Sequence, residues 1–135
     1  NKISGPLLDR IDIHLEVPAL KSAELLEDAL PAESSGAIRA RVVRARETQL
    51  ERFKGEKIYT NSRMKPAQVK KFCRLDEPSK KLLKQAVERM GLSARAFDSI
   101  IKVSRTVADL RGCDMIEARD IAEAVGYRSM DKRLV

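Results

Sequence analysis

The amino-acid sequence predicts a mainly α-helical fold, a bundle of helices preceded by one β-strand. Beyond about Gly36, apolar residues recur at helical spacing in segments that begin at capping residues and end at glycines. Before that point, residues 11–17 alternate apolar with polar side chains, which is the pattern of a strand. At 135 residues, the chain is long enough to form one domain with a buried core.

The predicted strand runs from Ile11 to Val17 and is stopped by Pro18. No clear partner strand follows, because the segment 57–60 is short and weakly patterned. A lone strand cannot satisfy its backbone hydrogen bonds, so we expect its sheet to lie in a part of the protein outside this sequence. The first residue is Asn1 rather than methionine, which leads to the same expectation of a piece from a longer protein.

The segments after the strand are predicted in chain order. Residues 22–30 favour a short helical turn, and residues 31–36 favour a loop. A helix then spans about Gly36 to Phe53. Its apolar stripe and the apolar side chains beside it are Ile38, Val42, Ala45, Val43, Leu50 and Phe53. After a loop at 55–65, Pro66 suits the first turn of a short helix that reaches Cys73.

Three more helices follow, each with recognisable ends. Asp76 caps the first and Gly91 ends it, while Ser93 caps the second and Gly112 ends it. The third begins at a capping box over residues 114–117 and ends at 126. The side chains expected to point inward are Leu82, Leu83, Ala86, Val87, Met90, Phe97, Ile100, Ile101, Val107, Ala108, Ile121, Ala122 and Val125.

The net charge of +7 is unevenly distributed along the chain. Residues 1–30 carry a net charge of −3, residues 31–90 carry +9, and residues 91–135 carry +1. The middle segment is therefore the candidate surface for DNA or an acidic partner, with a merely solvated basic face as the alternative. The candidate DNA contacts are Arg39, Arg41, Arg44 and Arg46. They fan around their helix rather than lining one face, and the low aromatic content argues against a base-stacking platform.

Several classes of site are absent from the sequence. There is no GxxxxGK[ST] phosphate loop, no convincing nucleophile–base pair and no metal-ligand spacing around Cys73, Cys113 or the single His14. We therefore expect this chain to bind no metal or cofactor and to hydrolyse no ATP by itself. No apolar run approaches the ~18 residues that a membrane span requires, and isolated cysteines suit a reducing compartment, so a cytoplasmic location is expected.

Arg95 occupies a helix position that is unfavourable for a positive charge. It lies in the first turn of a predicted helix, where the helix dipole disfavours a cation by roughly 0.3–1 kcal/mol. Residues in locally unfavourable positions tend to cluster at functional sites. An arginine beside the free N–H groups of a helix start would suit a bound phosphate. The alternative is a surface arginine with its head group in water.

Three segments resemble one protein family. Residues 4–14, SGPLLDRIDIH, resemble the segment of magnesium-chelatase-like AAA+ ATPases that leads into the last core strand. Residues 93–103, continuing through 105–110, are similar to the sensor-2 helix of those enzymes, and residues 121–131 to the tail of their bacterial competence-type branch, which is associated with DNA uptake. The segment of minichromosome-maintenance helicases that corresponds to residues 4–14 is similar but less close.

The resemblance implies both a fold and roles. Residues 1–30 would be the end of the AAA+ core, strand and linker, and residues 31–135 its C-terminal helical lid. Arg10 matches the arginine finger that enters a neighbouring subunit's ATP site, and Arg95 matches the sensor-2 arginine near the γ-phosphate. The alternatives are that Arg10 pairs with Asp9 or Asp12, and that Arg95 pairs with Asp98.

The resemblance also implies partners. ATP and Mg²⁺ would bind the full-length protein, identical subunits would assemble into a ring, expected to be a hexamer, and DNA would be its substrate in helicase or branch-migration activity. Three other functions stay open: a stand-alone basic helical module that binds DNA, a scaffold that binds only protein partners, and the motor subunit of a metal chelatase.

Overall fold

A computed structural model describes residues 4–19 and 32–128, and this part of the chain is mainly helical, as the sequence predicts. Its helices are α1 (Gly5–Asp9), α2 (Ser35–Arg52), α3 (Pro66–Phe72), α4 (Glu77–Met90), α5 (Ala94–Leu110) and α6 (Ala118–Gly126), with a short 3₁₀ turn at Asn61–Arg63. The helical turn predicted at 22–30 lies outside the described residues. None of the described helices is both long and apolar enough to cross a membrane.

Helix α5 is the centre of the bundle. It packs against α2, α6 and the 3₁₀ turn, and α4 packs against α6. Ile100, Ile101 and Ala108 of α5 are buried together with Leu83 of α4 and Ile121 of α6. These side chains recur at intervals of three and four residues, so one face of each helix is removed from water.

The helix ends follow the predicted caps. The Asp76 carboxylate accepts the Ser79 N–H at 2.8 Å, and the Ser93 hydroxyl accepts the Ala96 N–H at 3.0 Å. Gly91 ends α4 in the left-handed conformation, with φ of 59°, which glycine adopts without a steric penalty. The next amide, of Leu92, returns to the Val87 carbonyl at 3.2 Å, so the predicted Schellman-type ending is confirmed.

The capping box of the last helix was predicted three residues too early. The Glu117 N–H donates to the Asp120 carboxylate at 2.8 Å, and α6 begins at Ala118. The physical reason is that Ile116 is fully buried and forms a parallel bridge with Leu75, which keeps the chain extended up to that point. On α6 itself Ile121 is buried as predicted, whereas Ala122 is exposed.

The predicted apolar stripe of α2 is wrong over its first half. Ala45 and Phe53 are buried, but Ile38 and Val42 are more than two-fifths exposed. Val43 and Leu50 are exposed as well, and residues 32–44 contain no buried side chain. Only the C-terminal half of α2 therefore lies on the bundle, where the polar Gln49 takes a buried position that an apolar pattern does not predict.

Residues 11–17 form no strand in the described chain. Strand alternation would bury the apolar residues and expose His14, but His14 is buried while Ile11, Ile13, Leu15 and Val17 are 40–87% exposed. The backbone here has no ladder partner among the described residues, and without one a strand does not form.

Candidate functional site

Two hydroxyl–carboxylate hydrogen bonds fasten the N-terminal segment to the first half of α5. The Ser93 hydroxyl donates to Asp9 at 2.6 Å, and the Ser99 hydroxyl donates to Asp12, also at 2.6 Å. These bonds connect residues more than 80 positions apart. They bring the segment that carries Arg10 onto the helix that carries Arg95.

The C-terminal end of the described chain also holds this segment. The buried Arg128 side chain donates to the Ile11 carbonyl at 2.9 Å and lies 3.6 Å from the Asp9 carboxylate. The His14 N–H donates to the Tyr127 carbonyl at 2.7 Å. Residues 4–14 are consequently part of the packed structure, although the apolar side chains that follow are exposed.

Amide hydrogen exchange on this chain should show where that anchoring ends. The His14 amide is expected to exchange slowly because it is bonded to Tyr127, whereas the Leu15 and Val17 amides should exchange like those of an unstructured chain. Arg128→Ala should speed exchange at His14 and leave Ile100 unchanged. Protection through Val17 as strong as at Ile100 would mean that residues 11–17 have found a strand partner.

Arg10 and Arg95 are both exposed, and neither makes an ion pair with a described residue. The carboxylates that were the alternative partners are held elsewhere. Asp9 and Asp12 accept the two serine hydroxyls, and Asp98 pairs with Lys102 at 2.8 Å. Both guanidinium groups therefore remain available to a ligand, as far as the described part of the chain extends.

Arg95 lines a cleft of about 370 Å³ along one side of α5. The remaining lining residues are Asp12, Ser62, Asp98, Ser99, Lys102, Val103 and Thr106. The first turn of α5 contains no acidic side chain of its own, and the one carboxylate bonded to its N-cap, that of Asp9, accepts the Ser93 hydroxyl. An unpaired guanidinium, a helix start and several hydroxyl groups suit a phosphate-bearing ligand.

The four arginines predicted to contact DNA are not gathered into one surface. Arg41 forms a paired contact with Glu33, which raises the pKa of Arg41 and lowers that of Glu33. Arg46 donates to the Gln49 side chain and to the Tyr59 carbonyl at 3.1 and 3.2 Å. Arg39 and Arg44 are exposed, and helical spacing puts Arg39 on the side of Arg46 and Arg44 on the opposite side with Arg41. Their role in DNA binding stays a prediction.

Sequence reasoning missed a buried polar network under the cleft. The Asp109 carboxylate, which is completely buried, accepts hydrogen bonds from Arg52 at 2.8 Å, Asn61 at 2.8 Å and Arg105 at 3.1 Å. Asn61 also donates to Thr106, whose side chain lines the cleft. The spacing of Arg105 and Asp109 by four residues was the one local signal, since the other partners come from distant segments.

Cys73 is poorly suited to act as a catalytic nucleophile. Both are free, and Cys73 is buried, which raises the pKa of its thiol to about 11. A thiol with that pKa is almost entirely protonated at neutral pH and therefore weakly reactive.

The fold and the cleft define a helical domain whose exposed arginines suit contact with a phosphate group. Residues 32–128 match the family described as "Magnesium chelatase, subunit ChlI C-terminal", and this protein belongs to that family. The family resemblance drawn from the sequence is thereby confirmed.

Relatives extend the same finding over the whole chain. The chain is 40% identical over 134 residues to "Competence protein ComM" of Haemophilus influenzae, and 36% identical over 135 residues to "Uncharacterized protein YifB" of Escherichia coli. An uncharacterized protein of Mycobacterium tuberculosis is 30% identical over 132 residues. The alignments cover 98–100% of this chain but only 26% of each relative, so the chain spans about a quarter of their length.

Proposed function

We propose that this chain is the C-terminal lid, with the end of the core, of a ring-forming magnesium-chelatase-like AAA+ ATPase that processes DNA. Arg10 is the arginine finger that reaches the ATP site of the neighbouring subunit. Arg95 is the sensor-2 residue of its own subunit. The observation that carries the proposal is that both arginines are exposed while their candidate partners Asp9, Asp12 and Asp98 are engaged elsewhere.

The residues of the cleft fit the terminal phosphate of a nucleotide. Arg95 supplies a fork of donors that matches phosphate oxygens, and the start of α5 adds a favourable dipole. In the full-length protein, ATP with Mg²⁺ supplies the phosphoryl group that is transferred to water. The part of this chain is to stabilise the charge on that group with positioned guanidinium groups.

The exposed apolar residues of the N-terminal segment support placement within a longer protein. Ile13, Leu15 and Val17 alternate with polar residues and expose large apolar side chains next to the anchored His14. Such a segment would gain both hydrogen bonds and burial by joining the edge of a sheet. We extend the competence role named for ComM to this protein on the strength of the family and of the 40% identity.

Arg95→Ala tests the lid role in the full-length protein. We expect ATP turnover to fall by about 10²-fold or more because a guanidinium near the transferred phosphate acts mainly in the transition state. Arg89→Ala is the matched control, since Arg89 is an exposed arginine near the end of α4 and outside the cleft. Steady-state turnover and nucleotide affinity are to be measured for both. Equal turnover in the two variants would show that Arg95 does not act at the ATP site.

A further inference from the structure

A second surface lies on the loop between α2 and α3, residues 53–65, and the proposed ATPase role does not use it. Lys57, Arg63 and Lys65 are exposed there and line a shallow hollow of about 540 Å³. The other lining residues are Ile58, Tyr59 and Thr60, so no carboxylate lines the hollow. This surface is therefore both basic and free of local acidic compensation.

The two acidic side chains nearest in sequence are engaged with other groups. Glu56 accepts a hydrogen bond from Gln68 at 2.9 Å and pairs with Lys71 at 3.4 Å, contacts that lower the pKa of Glu56. Glu51 lies 3.7 Å from Lys54. Neither carboxylate lines the hollow.

Tyr59 lines the same hollow as these cations, and its side chain is exposed. It is 67% exposed, the most exposed aromatic side chain among the described residues. Its carbonyl oxygen accepts a hydrogen bond from Arg46 at 3.2 Å, which fixes the backbone behind the ring. The low aromatic content of the chain argues against an extended stacking platform, but a single exposed aromatic ring beside cations is sufficient for one unpaired base to stack.

Buried residues of the loop fix it to the bundle. Asn61 is buried, its N–H donates to Gln49 at 3.1 Å, and its side chain donates to Asp109 and Thr106. Met64 is also buried. Because these anchors flank the exposed side chains, the surface is preorganised and loses little conformational entropy on binding.

We propose that this surface binds single-stranded nucleic acid, with one base stacked on Tyr59 and the backbone phosphates held by Lys57, Arg63 and Lys65. Arg41 and Arg46 of α2 are already engaged within the chain, which favours this surface as the main contact. Ser62, in the same loop, lines the cleft of Arg95, so the two sites share a border. This inference rests on the proposed DNA-processing function, because that function gives the protein a reason to bind a single strand.

The test measures binding of this chain to fluorescently labelled oligo-dT and oligo-rU by anisotropy at several salt concentrations. Tyr59→Ala should weaken binding at least about fivefold, and Tyr59→Phe should retain it, because a phenyl ring still stacks. Log K falls as log salt rises, and Lys57→Ala with Arg63→Ala should make that negative slope shallower by about 1.4, or about 0.7 for each lost phosphate contact.

Lys81→Ala with Arg89→Ala is the matched control, since it removes the same charge from exposed positions of α4 that line neither the hollow nor the cleft. Binding and salt slope in this control should equal those of the unchanged chain, and circular dichroism should show every variant folded. An equal loss in the control, no effect of Tyr59→Ala, or competition by polyglutamate as effective as by oligo-dT would each overturn the proposal. The arginine roles are tested separately by ATP turnover, so failure of one proposal is distinguishable from failure of the other.

Discussion

Replacing Arg10 with alanine in the full-length protein is expected to lower ATP turnover by about 10³–10⁵-fold while leaving ATP affinity nearly unchanged. The reason is that a finger arginine acts on charge that develops in the transition state of a neighbour's site, whereas ground-state binding depends mainly on the phosphate loop. Steady-state turnover and equilibrium binding of a fluorescent nucleotide separate the two effects.

Two controls make the Arg10 result specific. Arg10→Lys keeps the charge but loses the planar fork, and should recover little activity. Arg74→Ala removes another exposed arginine that lies outside the cleft, and should behave like the unchanged protein. Loss of activity through weaker ATP binding, or an equal loss in Arg74→Ala, would mean that Arg10 is not the finger.

Asp109→Ala should destabilise the fold of this chain by about 3–5 kcal/mol. The carboxylate is completely buried and balances the charges of Arg52 and Arg105, so its removal leaves two largely buried guanidinium groups without their counter-ion. Urea unfolding followed by circular dichroism gives the change in free energy of unfolding.

Asp98→Ala is the matched control for Asp109. It also removes an aspartate of α5, but Asp98 is nearly half exposed in its pair with Lys102. An exposed pair contributes about 1 kcal/mol or less, so this variant should be almost as stable as the unchanged chain. Equal destabilisation by the two substitutions would show that the Asp109 network does not stabilise the bundle.

The features predicted correctly from the sequence depend on neighbours in the chain. Asp76 and Ser93 cap their helices through backbone N–H groups three residues away, and Gly91 is needed where α4 turns into the left-handed conformation. The apolar face of α5 is equally local, although Phe97 is exposed because it lies beside an open groove with Val87 rather than under a helix. Fold class and most helix ends follow from such signals.

The features missed depend on contacts between distant segments. The extended chain at Ile116 depends on its bridge with Leu75, and this contact moves the start of α6. The N-terminal segment is held by Ser93 and Ser99, more than 80 residues away, and no periodic pattern encodes those bonds. For the site, the sequence and its family resemblance point to Arg10 and Arg95, whereas the surroundings that leave them unpaired emerge only from the fold.

The central proposal is that Arg10 completes the ATP site of a neighbouring subunit, and a subunit-mixing experiment tests it most directly. Arg10→Ala subunits are combined with subunits that lack the phosphate-loop lysine, each inactive alone, in rings shown to contain both. The second subunit supplies the finger to the intact site of the first, so turnover should reappear at mixed interfaces. Arg95→Ala subunits in the same mixture should recover none, because Arg95 acts within its own subunit. No recovery by the Arg10 mixture at any ratio would contradict the role of Arg10 in the neighbouring site.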